Sequence, residues 1–229
     1  MFNMSTEDKL KNVNPTFGNT VLPAVVGSQT KYQIVYADPA WNYNSRMALG
    51  KGAAKSSAED YYNVMSIDDI MALPIKEISA KDCILFIWVT MPKLNEVFKV
   101  INAWGFEYKT CGFVWVKRNK VFSDERNKNR NGIDDFMGQG RWVRQNAELC
   151  LIATKGKPKR ISAKVRQIIY QPIQEHSQKP NEVRERIIEL VGDLPRLELF
   201  ARKNHIGWDA WGDEVEESIN LETSANNGR

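Results

Sequence analysis

Seven consecutive apolar residues, CILFIWV at positions 83–89, most constrain what this chain can fold into. A strand with one wet face would place a polar residue at every second position, and an amphipathic helix would interrupt the run within a turn. The segment must therefore be buried all round. It is far shorter than the roughly 20 residues needed to cross a bilayer as a helix. An inner strand of a sheet covered on both faces satisfies these conditions.

Other segments fit around such a strand. YQIVYAD (32–38) reads as a second buried strand, YKTCGFVWVK (108–117) as a third, ELCLIATKG (148–156) as a fourth and RLELFAR (196–202) as a fifth. Between the first two, SIDDIMALPIKEI predicts one or two short helices around Pro74. From Pro92 to Trp104, Leu94, Val97, Phe98, Ile101 and Trp104 recur at helical spacing, and Gly105 follows as a stop. Pro180 can start a helix that carries Val183, Ile187 and Val191 on one face and ends at Gly192. Strands alternating with helices imply an α/β domain with a mostly parallel central sheet and helices on both faces. The expected division is an irregular arm at 1–30, one domain at 31–215 and a flexible tail at 216–229. No internal repeat is visible.

The 229 residues carry a formal charge of +4, which permits a polyanionic partner without requiring one. Cys83, Cys111 and Cys150 all lie in apolar runs, which suits buried thiols and a reducing cytoplasm better than a disulfide framework. No signal peptide or membrane span is expected. Two basic segments, 116–145 and 155–167, break the alternation, and each follows a strand. The first brings Lys117, Arg118 and Lys120, with Arg141 and Arg144 beside a Gly-rich turn and Asn146 just after it. The second brings Lys155, Lys157, Lys159, Arg160, Lys164 and Arg166. Both are expected on one face with Asp38, where they would neutralise phosphates. Two solvated loops are the plainer alternative.

The first strand ends in Asp38-Pro39-Ala40-Trp41. An Asp-Pro turn explains the first two residues without any chemistry. The Trp calls for more. An exocyclic amine on a nucleobase is a poor nucleophile, because its lone pair is delocalised into the ring. A carboxylate and a proline-aimed carbonyl can accept its two N–H hydrogens, and an aromatic ring can stack on the base. A duplex base must first be flipped out.

DPAW resembles the Asp-Pro-Pro-Trp motif of the MT-A70 family of S-adenosylmethionine-dependent adenine-N6 methyltransferases. Three later stretches are similar to that family in the same order: LFIWVTMPKLNEVFKVINAWGFEYKTCGFVWVK, GQGRWVRQNAELCLIATKGKP and HSQKPNEVRERIIELVGDLPRLELFARKNHIGWDAWGDEV. The resemblance runs from about Tyr32 to Val215 and is greatest to short, stand-alone members of bacteria and their viruses. Ala40 departs from the family's second proline.

This resemblance implies a Rossmann-like class I methyltransferase fold with circularly permuted motif order. It implies direct in-line methyl transfer to adenine N6 in DNA at Asp38, Pro39, Ala40 and Trp41, without a cysteine nucleophile. It implies S-adenosylmethionine held by Lys179, Phe200, Arg202, Asn204, His205, Asp213 and Glu214, with Asp213 preferred over Glu214 for the ribose. His176 and Ser177 would shape the loop before Lys179, and Glu198 would orient that wall or face the cofactor. Trp208 and Trp211 are expected to pack. Asn146 and Glu148 would lie near the base pocket, and MALGKGAAKSS could form a lid. No metal site is expected. The implied partner is nucleic acid, DNA before RNA, met by a monomer or homodimer in the cytoplasm of a bacterium or a phage-infected cell. An RNA adenine methyltransferase and a non-catalytic, nucleic-acid-binding subunit remain as alternatives.

Overall fold

The computed structural model describes residues 31–42, 65–120, 136–138, 140, 142–174, 178–216, 219 and 221. The expected arm, the expected lid, residues 121–135, Arg141, His176 and Ser177 lie outside them. The elements follow in the order β1 (Tyr32–Ala37), α1 (Ile67–Ala72), α2 (Ile75–Ile78), β2 (Ser79–Val89), α3 (Leu94–Ala103), β3 (Glu107–Arg118), β4 (Ala147–Lys155), β5 (Ile168–Pro172), α4 (Glu182–Val191), β6 (Arg196–Leu199) and β7 (Asp209–Trp211).

These strands form one seven-stranded sheet in the order β5-β3-β4-β2-β1-β6-β7. The pairs β1–β2, β1–β6, β6–β7 and β3–β5 are parallel, whereas β4 runs antiparallel to both its neighbours. The expected α/β architecture is present, with one reversed strand. A parallel return needs a crossover to the far end of the sheet, usually a helix. The polar connection between β3 and β4 starts and finishes at one end, so β4 enters beside β3 in the opposite sense. β5 and β7 are short outer strands that the sequence pattern did not reveal.

Side chains alternate across the sheet as strand geometry requires. Val35, Ala37, Leu85, Ile87 and Val89 join Val97, Val100, Ile101 and Trp104 of the α3 region in one core. Ile34, Tyr36, Ile84, Phe86 and Trp88 join Val183, Ile187 and Val191 of α4 in the other. The unbroken apolar run of β2 thus supplies both cores. Ser66 caps α1 by accepting the Asp69 N–H at 3.1 Å, and α4 stops at Gly192, where φ is +98°. Leu221 is buried in the first core and Ile219 packs against it, so the expected loose tail is anchored at these positions. Among the described residues, no helix is long and apolar enough to cross a membrane.

The direction of β4 separates the two basic segments. Lys117 and Arg118 leave β3 at the end of the sheet where Asp38 leaves β1. Lys155 instead faces Cys83, near the beginning of β2. Farther along, the Ile161 and Ser162 N–H groups donate to the Leu190 carbonyl at the closing end of α4. The expectation that both segments share Asp38's face therefore fails for 155–167, because an antiparallel strand delivers its following loop to the other end.

Candidate active site

β1 lies between β2 and β6. The chain from β1 reaches β2 through α1 and α2 on one face, while α4 leads into β6 on the other. Connections diverging in this way open a crevice at the carboxyl ends of the strands. Asp38 stands there as the first residue after β1. The cleft beside it holds about 630 Å³ of free space when the open solvent at its mouth is included. Lys179, Phe200, Arg202, His205 and Glu214, all named as cofactor candidates from the sequence, line it with Asp38. Asn204 and Asp213 do not line it. Tyr36, Arg184 and Glu198 complete the wall at the sheet. Of these, Tyr36 and Arg184 escaped the sequence reading because each also fits a strand or helix core pattern.

Buried charge organises the site. The Lys179 ammonium lies 2.8 Å from Asp38 Oδ2 and 3.2 Å from Glu148 Oε2, with only 9% of the side chain exposed. Lys117 closes on the other oxygen of Glu148, making a chain of two carboxylates and two ammonium groups. Burial opposes charge on Lys179, yet Asp38 and Glu148 hold its pKa above the ordinary lysine value. Burial likewise opposes the Glu148 carboxylate, and Lys179 and Lys117 outweigh it, so this acid stays below the usual range. Lys179 also lies 5.6 Å from the centre of the Trp88 ring. Lys179, expected on the cofactor, lines the cleft while paired with these two acids. Lys117, expected on phosphates, is ion-paired with Glu148. The link between distant acids and lysines leaves no signal in sequence spacing.

A second buried pair forms the back wall. Arg184 Nε donates to Glu198 Oε2 at 2.7 Å, and its Nη2 donates to Oε1. The guanidinium lies 5.4 Å from the centre of the Tyr36 ring. The Trp88 indole N–H donates to the Tyr36 hydroxyl at 2.7 Å, and burial pushes that phenol well above its ordinary pKa. Phe200 closes the floor with φ at +60°, an uncommon backbone state for a residue with a Cβ, and its ring meets Trp211 edge-on at 5.3 Å. Burial lowers the His205 pKa, and Arg184 adds to the effect.

The DPAW turn is held from within. The Pro39 carbonyl accepts the Trp41 N–H at 2.8 Å, and the Ala40 carbonyl accepts the Met65 N–H at 3.2 Å. Trp41 is 4% exposed, and its indole N–H donates to the Trp88 carbonyl at 3.3 Å. Trp41 thus anchors the turn in the core, and of the two stacking options, Trp41 or a neighbouring aromatic, its burial favours the neighbour. Asp38 remains accessible, with 25% of its side chain exposed.

Burial raises all three cysteine pKa values, Cys83 up to about 12, so none is poised as a thiolate. No group of three His, Cys, Asp or Glu side chains among the described residues is arranged to hold a metal. Lys120 and Arg144 are exposed, and Asn146 pairs its carbonyl with the Lys117 N–H at 2.7 Å.

The seven-stranded α/β sheet with its cleft at the carboxyl end of β1 has the architecture of a class I methyltransferase fold. The chain belongs to the MT-A70 family, whose profile matches residues 32–214. It is 33% identical over 221 residues to the "Type II methyltransferase M.MunI" of a Mycoplasma species, covering 90% of this chain and 86% of that one. It is 24% identical over 189 residues to the human "N(6)-adenosine-methyltransferase catalytic subunit METTL3" and 24% identical over 186 residues to an Arabidopsis thaliana "N(6)-adenosine-methyltransferase MT-A70-like" protein. These alignments take in 81% and 80% of this chain but only 28% and 24% of the human and plant proteins. Family membership makes this protein a methyltransferase.

Proposed function

We propose that residues 31–215 transfer a methyl group from S-adenosylmethionine to the exocyclic N6 amine of adenine in DNA. The observation that carries this reading is the Asp38 carboxylate, at the crevice end of β1, accessible and held by Lys179. The Lys179 ammonium, 2.8 Å from Oδ2, restricts the rotation of the carboxylate. Asp38 and the second lone pair of the Pro39 carbonyl, whose first takes the Trp41 N–H, accept hydrogen bonds from the amine and concentrate the lone pair on nitrogen; the sulfonium would leave as a neutral thioether and the displaced N6 proton would pass to solvent. Ala40 replaces a second proline without removing the Pro39 carbonyl.

The cleft suits the cofactor on chemical grounds. It juxtaposes the cations Arg202 and Lys179 with the carboxylates Glu198 and Glu214. The former match a methionyl carboxylate, and the latter match an amine or ribose hydroxyls. When bound, S-adenosylmethionine supplies the electrophilic methyl group. This chain's residues orient the acceptor and hold its proton-bearing nitrogen; no covalent enzyme adduct is required.

DNA is favoured by the likeness over nearly the whole chain to a protein named as a Type II methyltransferase. RNA is the competing substrate, raised by the relatives named as adenosine methyltransferases. Labelled methyl transfer to matched DNA and RNA oligonucleotides, read by nucleoside mass spectrometry, decides. N6-methyladenine in DNA is expected. Product in RNA alone would replace the substrate, and cofactor binding without product on either would favour a non-catalytic subunit.

A further inference from the structure

All seven tryptophans are described, and six are between 0% and 8% exposed; Trp142 is 93% exposed. It does not stand alone. Val143 is 69% exposed and Met137 is 72% exposed in the same loop. The loop is also tightly constrained. A Cβ on Gly138 would fall 1.9 Å from the Gln145 carbonyl oxygen, and one on Gly140 would fall 1.8 Å from that of Val143. Only glycine permits the two arms to approach so closely. The base of the loop is tied to β3, where the Phe136 N–H donates to the Lys117 carbonyl at 3.0 Å and the Lys117 N–H donates to the Asn146 carbonyl. A close-packed ribbon therefore projects a large aromatic into water instead of burying it.

The surroundings choose its occupant. Arg144 and Lys120 are exposed, Arg118 is half-buried, and all three belong to the end of the sheet that carries Asp38. A protein partner would meet an apolar patch rimmed by cations. DNA presents phosphates to the cations and π faces to the indole, so both components of the surface are matched. Moreover, an adenine leaving a duplex opens a gap beside its neighbours, into which proteins insert large apolar side chains. We infer that Trp142 stacks on a DNA base beside the target adenine, with Arg118, Lys120 and Arg144 on the flanking phosphates. This rests on the nucleic-acid reading given above.

The sole exposed tryptophan supplies its own probe. Acrylamide quenching of the full-length protein should report chiefly on Trp142, with Trp142→Phe giving the baseline. Mixed-sequence duplex DNA, added at low salt with binding followed independently by anisotropy, is expected to protect the quenchable emission. Trp142→Ala should weaken DNA binding about tenfold, Trp142→Phe should restore most of it, and cofactor affinity should not change. Bound DNA with unaltered quenching and undiminished affinity of Trp142→Ala would overturn the inference while leaving the proposed function standing. Failure to bind any DNA would overturn both. Protection by RNA of the same sequence but not by DNA, or protection that grows with protein concentration alone, would replace DNA with RNA or with a second copy of the chain.

Discussion

The two ends of the sheet use the same residue types in opposite ways. At the carboxyl end of β1, Lys179 is buried and Lys117 half-buried among Asp38, Glu148 and aromatic rings, and the ion pairs link them to the cleft residue Asp38. At the other end, Lys155 donates to the carbonyls of Lys76 at 2.7 Å and Ser79 at 3.3 Å, while Asp82 accepts the Lys157 N–H at 2.7 Å. There, charge ties up loose backbone beside water. The difference shows that a lysine's role follows from what removes its solvent. A charge taken from water must be balanced by a specific partner, whereas an exposed one only supplements solvation.

Asp38→Asn should break the contrast most severely. It keeps the shape of the side chain but removes the negative charge, and methyl transfer should fall roughly 100- to 1000-fold, in line with removal of a preorganised electrostatic interaction. Single-turnover transfer beside a cofactor titration separates chemistry from binding; undiminished transfer would remove Asp38 from the reaction. Glu148→Gln comes next. It leaves Lys117 without this carboxylate and Lys179 with Asp38 as its remaining acid in the pair, and should cost about 3 kcal/mol of stability at neutral pH.

The pH dependence sharpens that second test. Because the folded Glu148 pKa lies below the ordinary value, its contribution is present above about pH 4.3 and is lost as pH falls through the lowered folded value. Lys179 has the opposite sign, contributing below its ordinary pKa and losing its effect as pH rises through the raised folded value. The stability gap between wild type and Glu148→Gln should therefore be flat near neutrality and close in acid. Thermal unfolding across pH would show it, and a gap that persists in strong acid would refute the assignment.

The smallest effects compare the two basic surfaces directly. Lys120→Gln with Arg144→Gln should weaken DNA binding and reduce the salt-dependence slope by about two, one for each phosphate no longer neutralised. Lys159→Gln with Arg160→Gln, at the far end, should leave affinity within about twofold, because neither side chain adjoins the Asp38 end. Equal weakening by both pairs would mean that the nucleic acid wraps the whole sheet.

Much of this architecture was legible in particular residues. The apolar run at 83–89 required a doubly covered strand, and the spacing of Val97, Ile101 and Trp104 placed α3 where it lies. Lys179, Phe200, Arg202, His205 and Glu214 were recognisable as a group through the family likeness and line one cleft. The reversal of β4 was not, since apolar content carries no direction. Nor were β5 and β7, whose few residues give too little periodicity to stand out.

The sequence by itself determined which segments must be buried, where chemistry is concentrated on the first strand, and which family the pattern resembles. These depend on side-chain type and local spacing. Only the tertiary structure decided which charges meet. Asp38, Glu148 and Lys179 are brought together by strand order and by the reversed β4, while the same reversal carries Lys155 away. Trp41 and Trp142 make the point within one residue type: the indole of one is sealed beneath the Asp38–Trp41 turn, and that of the other is exposed on the loop that follows β3. Desolvation and pairing are properties of position in space, and sequence neighbours do not specify them.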